Sequence, residues 1–224
     1  MTVGFRIRPV TMRASAALCA RFATLPAANI GDVMNRMQTM RGPFFAYGGR
    51  RQVAGPVFPV RARGGDNLML HRAIDMAQPG DIIVLDGAGD LSIAQTGELM
   101  MGHVAKRGIA AVIIDGAVRD KEPLRELNLG VWARGVTPSG PYKDGPGEIG
   151  YPVSCGGQVV MPGDIVMADE DGVVVIPAAD AEEVIVAAEA HHQKEIKAQA
   201  DIDAGTNNRD WVLAALKAKG VAGA

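Results

Sequence analysis

Aromatic residues make up only 4% of this 224-residue chain, with two Trp, three Tyr and five Phe. The interior must therefore be aliphatic: hydrophobic residues reach 48%, and Ala, Val and Ile of this kind suit α/β layers. Cysteine is nearly missing. Cys19 and Cys155 lie far apart and follow no metal-ligand spacing, which points to reduced thiols in a cytoplasmic protein rather than a disulfide. Neither sign of charge dominates, since 23 Lys and Arg meet 25 Asp and Glu for a net −2. That balance gives no basis for binding nucleic acid or an anionic membrane. No apolar stretch approaches the ~20 residues that span a bilayer, so no membrane segment is expected.

What is abundant is turn chemistry, with 28 Gly and 13 Pro. At this length one domain with terminal helices is expected: an N-terminal helical segment over 1–28, a core over 29–180 and C-terminal helices over 181–224, at a subunit interface. Arg6, Arg8, Arg13 and Arg21 precede any acid and faintly imitate a transit peptide; a basic helix over Ser15 to Ala23 is the preferred reading. Asn29-Ile30-Gly31-Asp32 reads as a turn into a helix, with Asp32 near its cap. Val53 to Arg63 reads as a strand pair or bent strand, confined by Pro56 and Pro59 to an edge or bulge. Gly64-Gly65-Asp66-Asn67 opens a helix running to about Ala77. Pro79-Gly80-Asp81-Ile82 recurs as Pro162-Gly163-Asp164-Ile165, each time opening an apolar strand. Val173 to Ile176 pairs back across Asp169–Gly172 as a hairpin. Ala178 to Ala204 is one long helical stretch, its second half too polar for a core, and Trp211, Val212, Leu213 and Leu216 stand at helical spacing in the tail.

The segment Gly97 to Asp120, GELMMGHVAKRGIAAVIIDGAVRD, carries the chemistry. Ile82 to Leu85 reads as a strand ended by Gly87-Ala88-Gly89-Asp90; a helical pattern covers Ser92 to Lys106, Gly108 stops it, and Ala111 to Ile114 is a second buried strand. A βαβ unit makes the strands parallel and brings Gly97–Met100 to the sheet edge where Arg119 and Asp120 emerge. Free N–H groups near Gly97 suit a carboxylate, the Arg119 fork suits carboxylate and keto oxygens, and Asp120 is a hard oxygen ligand. A small 2-oxo acid fits that set.

This ordered set resembles the signature of the RraA-like family: a Gly-acid-Leu start, a βα passage of fixed length and a terminal Arg-Asp. The similarity runs from about Asn29 to Ala204 and includes Gly65-Asp66-Asn67-Leu68, Pro79-Gly80-Asp81, Pro162-Gly163-Asp164 and Asp171-Gly172-Val173. The family contains class II pyruvate aldolases, which use a divalent metal to cleave 4-hydroxy-4-methyl-2-oxoglutarate or 4-carboxy-4-hydroxy-2-oxoadipate. It also contains ribonuclease-binding regulators, which tend to lack the Asp after this Arg. The resemblance implies an α/β/β/α swivelling-type sandwich with a compact central β core and flanking helices, assembled as a homotrimer or homohexamer. It implies Asp120 as the ligand of Mg²⁺ or Mn²⁺, and Gly97, Glu98, Leu99, Met100 and Arg119 as the substrate-binding set. Arg119, Asp120, Glu98 and Glu195 are the catalytic candidates, Glu195 being supplied by the adjacent subunit.

Each candidate has a plainer reading. Arg119 and Asp120 could be a structural ion pair, Glu98 a helix-dipole partner and Glu195 a solvated helix charge. Leu99 and Met100 offer backbone N–H groups, so their side chains can be simple core. Lys106, Lys121 and Lys143 sit among polar residues, without the burial a Schiff-base lysine needs. His71 and His103 are read as structural or solvent-facing, and proton transfer is assigned to a water whose pKa the ion lowers. Ser139, Tyr142 and Lys143, in the Gly135–Gly150 loop, are expected to meet the far side of the substrate. Asp169-Glu170-Asp171-Gly172 is a turn rather than a calcium loop, and Gly87-Ala88-Gly89 is no dinucleotide fingerprint. The expected activity is a retro-aldol cleavage releasing pyruvate, with oxaloacetate decarboxylation as a side reaction. The alternatives are oxaloacetate decarboxylation alone, or a non-catalytic regulator.

Overall fold

The computed structural model describes residues 2–223. Along the chain lie β1 (Phe5–Ile7), α1 (Ala16–Phe22), α2 (Ala27–Val33), β2 (Phe45–Ala46), β3 (Val53–Ala62), α3 (Leu68–Met76) and β4 (Ile82–Thr96). There follow α4 (Glu98–Lys106), β5 (Ala111–Val118), α5 (Lys121–Glu126), β6 (Gly130–Val136), β7 (Gly147–Ile149), β8 (Val153–Cys155) and β9 (Gln158–Val160). The chain ends with β10 (Ile165–Asp169), β11 (Gly172–Ile176), α6 (Ala181–Asp203) and α7 (Asp210–Ala218).

The sheet runs β1-β7-β3-β4-β5-β6-β2, with β3, β4, β5 and β6 mutually parallel. Helices α3, α4 and α5 are the crossovers between those strands, as parallel pairing requires. Alternate strand residues part to two faces. Ile83, Leu85, Val112 and Ile114 pack with Leu70, Ile74, Met101 and Val104 of α3 and α4. Ile82, Val84, Ala111 and Ile113 face Val166, Ala168, Val173 and Val175 of the β10–β11 hairpin. The hairpin's other face, Ile165, Met167, Val174 and Ile176, packs with Leu18 and Phe22 of α1, Ile30 of α2 and Ile185 of α6. The result is helix, sheet, sheet, helix, the α/β/β/α sandwich that the resemblance implies.

Several local readings hold. Ser15 caps α1, its Oγ accepting the Leu18 N–H at 3.2 Å. The two Pro-Gly-Asp turns have one geometry: Gly80 and Gly163 take positive φ, and the Asp carboxylates accept the N–H groups of Gln78 and Met161, each at 2.8 Å. The hairpin closes at Asp169 opposite Gly172.

Others are corrected. β4 does not end at Asp86: it bulges outward and resumes, so that the stretch from Asp86 to Thr96 faces only Asp115 to Val118 of β5. Ala88 and Gly89 supply the positive φ values this excursion needs. Pairing with β5 therefore overrides the helical pattern over Ser92–Thr96, and α4 starts only at Glu98. Asp32 lies in the last turn of α2, not at its start. The first 28 residues hold a strand, β1, as well as helix α1. β3 is an interior strand despite Pro56 and Pro59. It pairs with β10 over Val53–Pro56 and with β7 over Val60–Ala62, and Pro59 falls in the gap where its missing N–H has no partner to lose.

The chain divides into two compact units, residues 1–188 and 189–224. In the second, no residue of α7 is buried, and Trp211 and Leu213 are exposed.

Candidate active site

Thr96 ends β4, Val118 ends β5, and the two are paired. The residues that follow, Gly97 and Arg119, thus leave the sheet together at its carboxyl edge, where open parallel sheets bind ligands. The Arg119 N–H donates to Thr96 O at 2.9 Å and fixes that junction. Asp120 takes a left-handed backbone, φ 60° and ψ 45°. It is the N-cap of α5, yet its side chain makes no bond to that helix. Oδ2 instead accepts the N–H of Glu98, the first residue of α4, at 3.0 Å, and Arg119 Nε lies 3.6 Å from the same oxygen. Both side chains are about two-fifths exposed, at 43% and 38%. An exposed ion pair of this kind contributes at most about 1 kcal/mol. A non-glycine residue held in the left-handed region costs about 1–3 kcal/mol. Stability alone does not account for the arrangement.

Gly97 makes it possible. A Cβ there would overlap Asp120 Oδ2 and lie 2.8 Å from Arg119 Cγ. The first turn of α4 also leaves donors open. Met101 N–H returns to Gly97 O at 3.1 Å, and Glu98 N–H is taken by Asp120. The N–H groups of Leu99 and Met100 have no acceptor among the described residues, at the positive end of a nine-residue helix. The Leu99 side chain is 81% exposed, so it is not core as expected, whereas Met100 is buried. The Glu98 side chain is exposed and joins no ion pair among the described residues.

These groups border a cleft of about 230 Å³ lined by Gly97, Leu99, Met100 and Arg119, and also by Asn67, Thr96, His71, His103, Pro141 and Lys143. The Gly65-Asp66-Asn67 motif builds its far wall. Asp66 is fully buried; its carboxylate accepts the N–H groups of Leu68 at 3.0 Å, Asp144 at 2.7 Å and Gly145 at 2.9 Å. Asn67 N–H donates to Tyr142 O at 3.0 Å, so the loop carrying Lys143 is tied to the start of α3. Asn67 Nδ2 donates to Gln95 O at 3.0 Å, but Asn67 Oδ1 and Thr96 Oγ1 are buried without a partner among the described residues. Leaving each unpaired costs about 1–3 kcal/mol.

His71 and His103 both border the cleft and are exposed, His103 in keeping with its solvent-facing reading and His71 contrary to its structural one. His71 is held below the usual histidine range by burial first and then by Lys143, with His103 acting the same way and Asp75 opposing. A periodic signal existed for both: His71 stands four residues after Asn67, and His103 four after Leu99, on the same helix faces. Asn67 and Thr96 carried no sequence signal of their own as cleft residues. Lys143 lies in the cleft wall, as the loop reading anticipated, while Ser139 and Tyr142 do not line it. Glu195 lies on α6 in the second unit, with His191 Nε2 3.5 Å from its carboxylate. A larger cavity, about 520 Å³, sits against α1 instead; the buried charge there, Asp81, is already taken by a two-point bond from Arg13 at 2.8 and 2.9 Å.

The sequence profile of the RraA-like family, described as Aldolase/RraA, matches residues 27–175. A Halalkalibacterium halodurans protein named "Putative 4-hydroxy-4-methyl-2-oxoglutarate aldolase" is 37% identical over 184 residues, covering 82% of this chain and 84% of that one. The 4-hydroxy-4-methyl-2-oxoglutarate aldolase of Thermus thermophilus is 33% identical over 149 residues, covering 66% of this chain and 90% of its own. Among solved structures, the RNA-processing inhibitor RraA from Thermus thermophilus matches with a TM-score of 0.63 at 32% identity, over 68% of this chain and 92% of that one. The profile match takes in more than half of the chain, including strands β2 to β10 and every residue that lines the cleft, and the chain belongs to the RraA-like family.

Proposed function

We propose that this protein is a divalent-cation-dependent carbon–carbon lyase that cleaves a 4-hydroxy-2-oxo acid and releases pyruvate. The observation that carries this reading is the convergence of Arg119, Asp120 and the open N–H groups of α4 across a Gly97 that admits no side chain. Its relatives with aldolase names, at 33% and 37% identity, support it.

The donor set fits a hard cation. Asp120 Oδ2 is engaged by Glu98 N–H, and Oδ1 has no protein donor among the described residues. Those residues contain no group of three or more His, Cys, Asp or Glu suited to a metal. One carboxylate with water and substrate completing the shell is how Mg²⁺ is commonly held, and Mn²⁺ suits the same oxygens. Held by Asp120, such an ion supplies Lewis-acid polarisation of the 2-oxo group. The Leu99 and Met100 N–H groups take the 1-carboxylate. The Arg119 guanidinium sits against the 2-oxo oxygen, where negative charge grows as the C3–C4 bond breaks. Glu98 orders water on the open side, which takes the 4-hydroxyl proton as the C3–C4 bond breaks and returns a proton to C3 to give pyruvate. Glu195 enters from a neighbouring copy in a homotrimer or homohexamer. Loss of CO₂ from oxaloacetate develops the same charge at the same oxygen, so decarboxylation accompanies cleavage. No helix of the described residues is long and apolar enough to cross a membrane, in keeping with a cytoplasmic enzyme acting on a small acid.

The test is pyruvate release from 4-hydroxy-4-methyl-2-oxoglutarate, 4-carboxy-4-hydroxy-2-oxoadipate and oxaloacetate, with Mg²⁺ or Mn²⁺ and with chelator. Turnover should vanish with chelator and fall at least ~10³-fold in Asp120→Ala. Turnover of oxaloacetate alone would reduce the activity to decarboxylation. The solved relative titled as an RNA-processing inhibitor supports a second reading, a ribonuclease-binding regulator. No turnover of any substrate, together with ribonuclease binding that survives Asp120→Ala, would establish that one instead.

A further inference from the structure

Gln95 is fully buried and does not line the cleft, yet it joins two of the segments that build it. The bulged half of β4 lies close across the Gly64–Asn67 segment. A Cβ on Gly64 would come within 2.9 Å of Asp90 Cβ, and one on Gly65 within 2.9 Å of Ile93 Cβ. Gly65 also takes a positive φ, 71°. The two glycines let the segments approach, and Gln95 fastens them. Oriented by its partners, its amide donates from Nε2 to Asp66 O at 2.6 Å and accepts the Gly65 N–H at Oε1, 3.0 Å away. Its backbone carbonyl accepts Asn67 Nδ2 at 3.0 Å. A Cβ on Gly87 would lie 3.0 Å from the same amide, so the amide is closely packed on another side as well. The next residue carries the contact to the catalytic corner: Thr96 O accepts the Arg119 N–H at 2.9 Å, and Gly97 follows with Asp120 Oδ2 against it.

Resting on the aldolase reading, we infer that Gln95 is a positioning residue, whose amide sets the Asn67 wall against the Arg119–Asp120 corner and so holds the cleft in the arrangement a 2-oxo acid needs. An amide suits this place because one of its atoms must donate while the other accepts. Methionine fills similar space and does neither, which leaves the Gly65 N–H and Asp66 O buried and unpaired. Glutamate has the shape of the amide, but it can both donate and accept only while it carries a proton. Burial favours that neutral form. The buried Asp66 carboxylate, in the segment the side chain meets, acts the same way, and Arg63, 3.8 Å from that carboxylate, opposes it.

The experiment compares the natural protein with Gln95→Met and Gln95→Glu in Mg²⁺, from about pH 5.5 to about pH 8. It reads pyruvate binding by calorimetry, pyruvate release from 4-hydroxy-4-methyl-2-oxoglutarate, and a melting curve at each pH. At about pH 8 both variants should bind pyruvate ~10-fold more weakly and turn over at least ~10-fold more slowly than the natural protein. As pH falls, Gln95→Glu should return to within about threefold of the natural protein, while Gln95→Met stays low. Natural binding and turnover in Gln95→Met would overturn the inference. So would a Gln95→Glu deficit that does not change with pH while the chain stays folded. A deficit that coincides with unfolding in the melting curve marks a merely structural role and overturns it too. The lyase reading fails separately. Pyruvate binding that returns with protonation, without cleavage of any 4-hydroxy-2-oxo acid, keeps Gln95 and refutes the lyase; cleavage with a deficit unchanged by pH does the reverse.

Discussion

A methyl group on Gly97 would collide with the Asp120 carboxylate and the Arg119 side chain together, and nothing in the backbone of Gly97 itself forbids alanine. Its φ of −155° and ψ of −165° are extended values open to any residue. The glycine is therefore required by what crosses it, not by its own conformation. Gly97→Ala should push Asp120 off the Glu98 N–H and shift Arg119 by an ångström or so, a displacement that can cost ~10²-fold in rate. Fold stability should change little, because Arg119 and Asp120 are exposed and their pair contributes little to it. Steady-state pyruvate release and a melting curve on one preparation check this; full activity in Gly97→Ala would show that the close approach is incidental. At this scale the sequence was legible where chemistry and spacing coincide. Arg119, Asp120 and Gly97 stand inside one βαβ unit, so counting along the chain locates them. Asn67 and Lys143 reach the same cleft from outside that unit, joined through the buried Asp66 carboxylate, and no spacing encodes that junction.

Among the elements, the parallel strands were readable because burial on both faces makes them continuous apolar runs: Ile82–Leu85 and Ala111–Ile114 have no polar side to hide. The continuation of β4 was not, because pairing with β5, not its own pattern, sets Leu91–Thr96 as a strand. β1 was equally hidden, and an ion pair reinforces its backbone pairing with β7. Glu148 on β7 accepts the Gly4 N–H at 2.9 Å and the Arg6 guanidinium at 2.6 Å, joining β1 to the sheet edge. The Arg6 hydrogen bond, helped by Gly4 N–H and opposed by burial, holds the Glu148 carboxyl below its ordinary value of 4.5. Because the folded form keeps Glu148 ionised to lower pH than the unfolded chain does, its contribution is complete above about 4.5 and is lost as pH falls below that value. Hydrogen exchange should show the β1 amides losing protection on acidification before those of β4 and β5. Glu148→Gln should produce the same local loosening at neutral pH. β1 protection that persists well below 4.5 would place its anchorage elsewhere.

For the whole molecule, the four-layer order follows from three apolar clusters, each facing one interface. The proposal that Glu195 is supplied by a neighbouring copy belongs to this scale. Glu195 belongs to the unit that begins at Glu189, while Asp120 belongs to the unit that ends at Ala188. In a cyclic assembly a residue given by one copy to the next repeats around the ring, so every site is shared between two chains. Two defective variants then become informative in mixture. Asp120→Ala and Glu195→Ala should each be inactive alone. Dissociated, mixed one to one and reassembled, they should place an intact Asp120 beside an intact Glu195 at about a quarter of the sites, and recover about that share of natural turnover. If Glu195 served its own chain, every mixed site would still carry one lesion and no activity would return. If Glu195→Ala were active by itself, Glu195 would be an ordinary helix charge paired with His191, and the cleft around Arg119 and Asp120 would be complete within one chain.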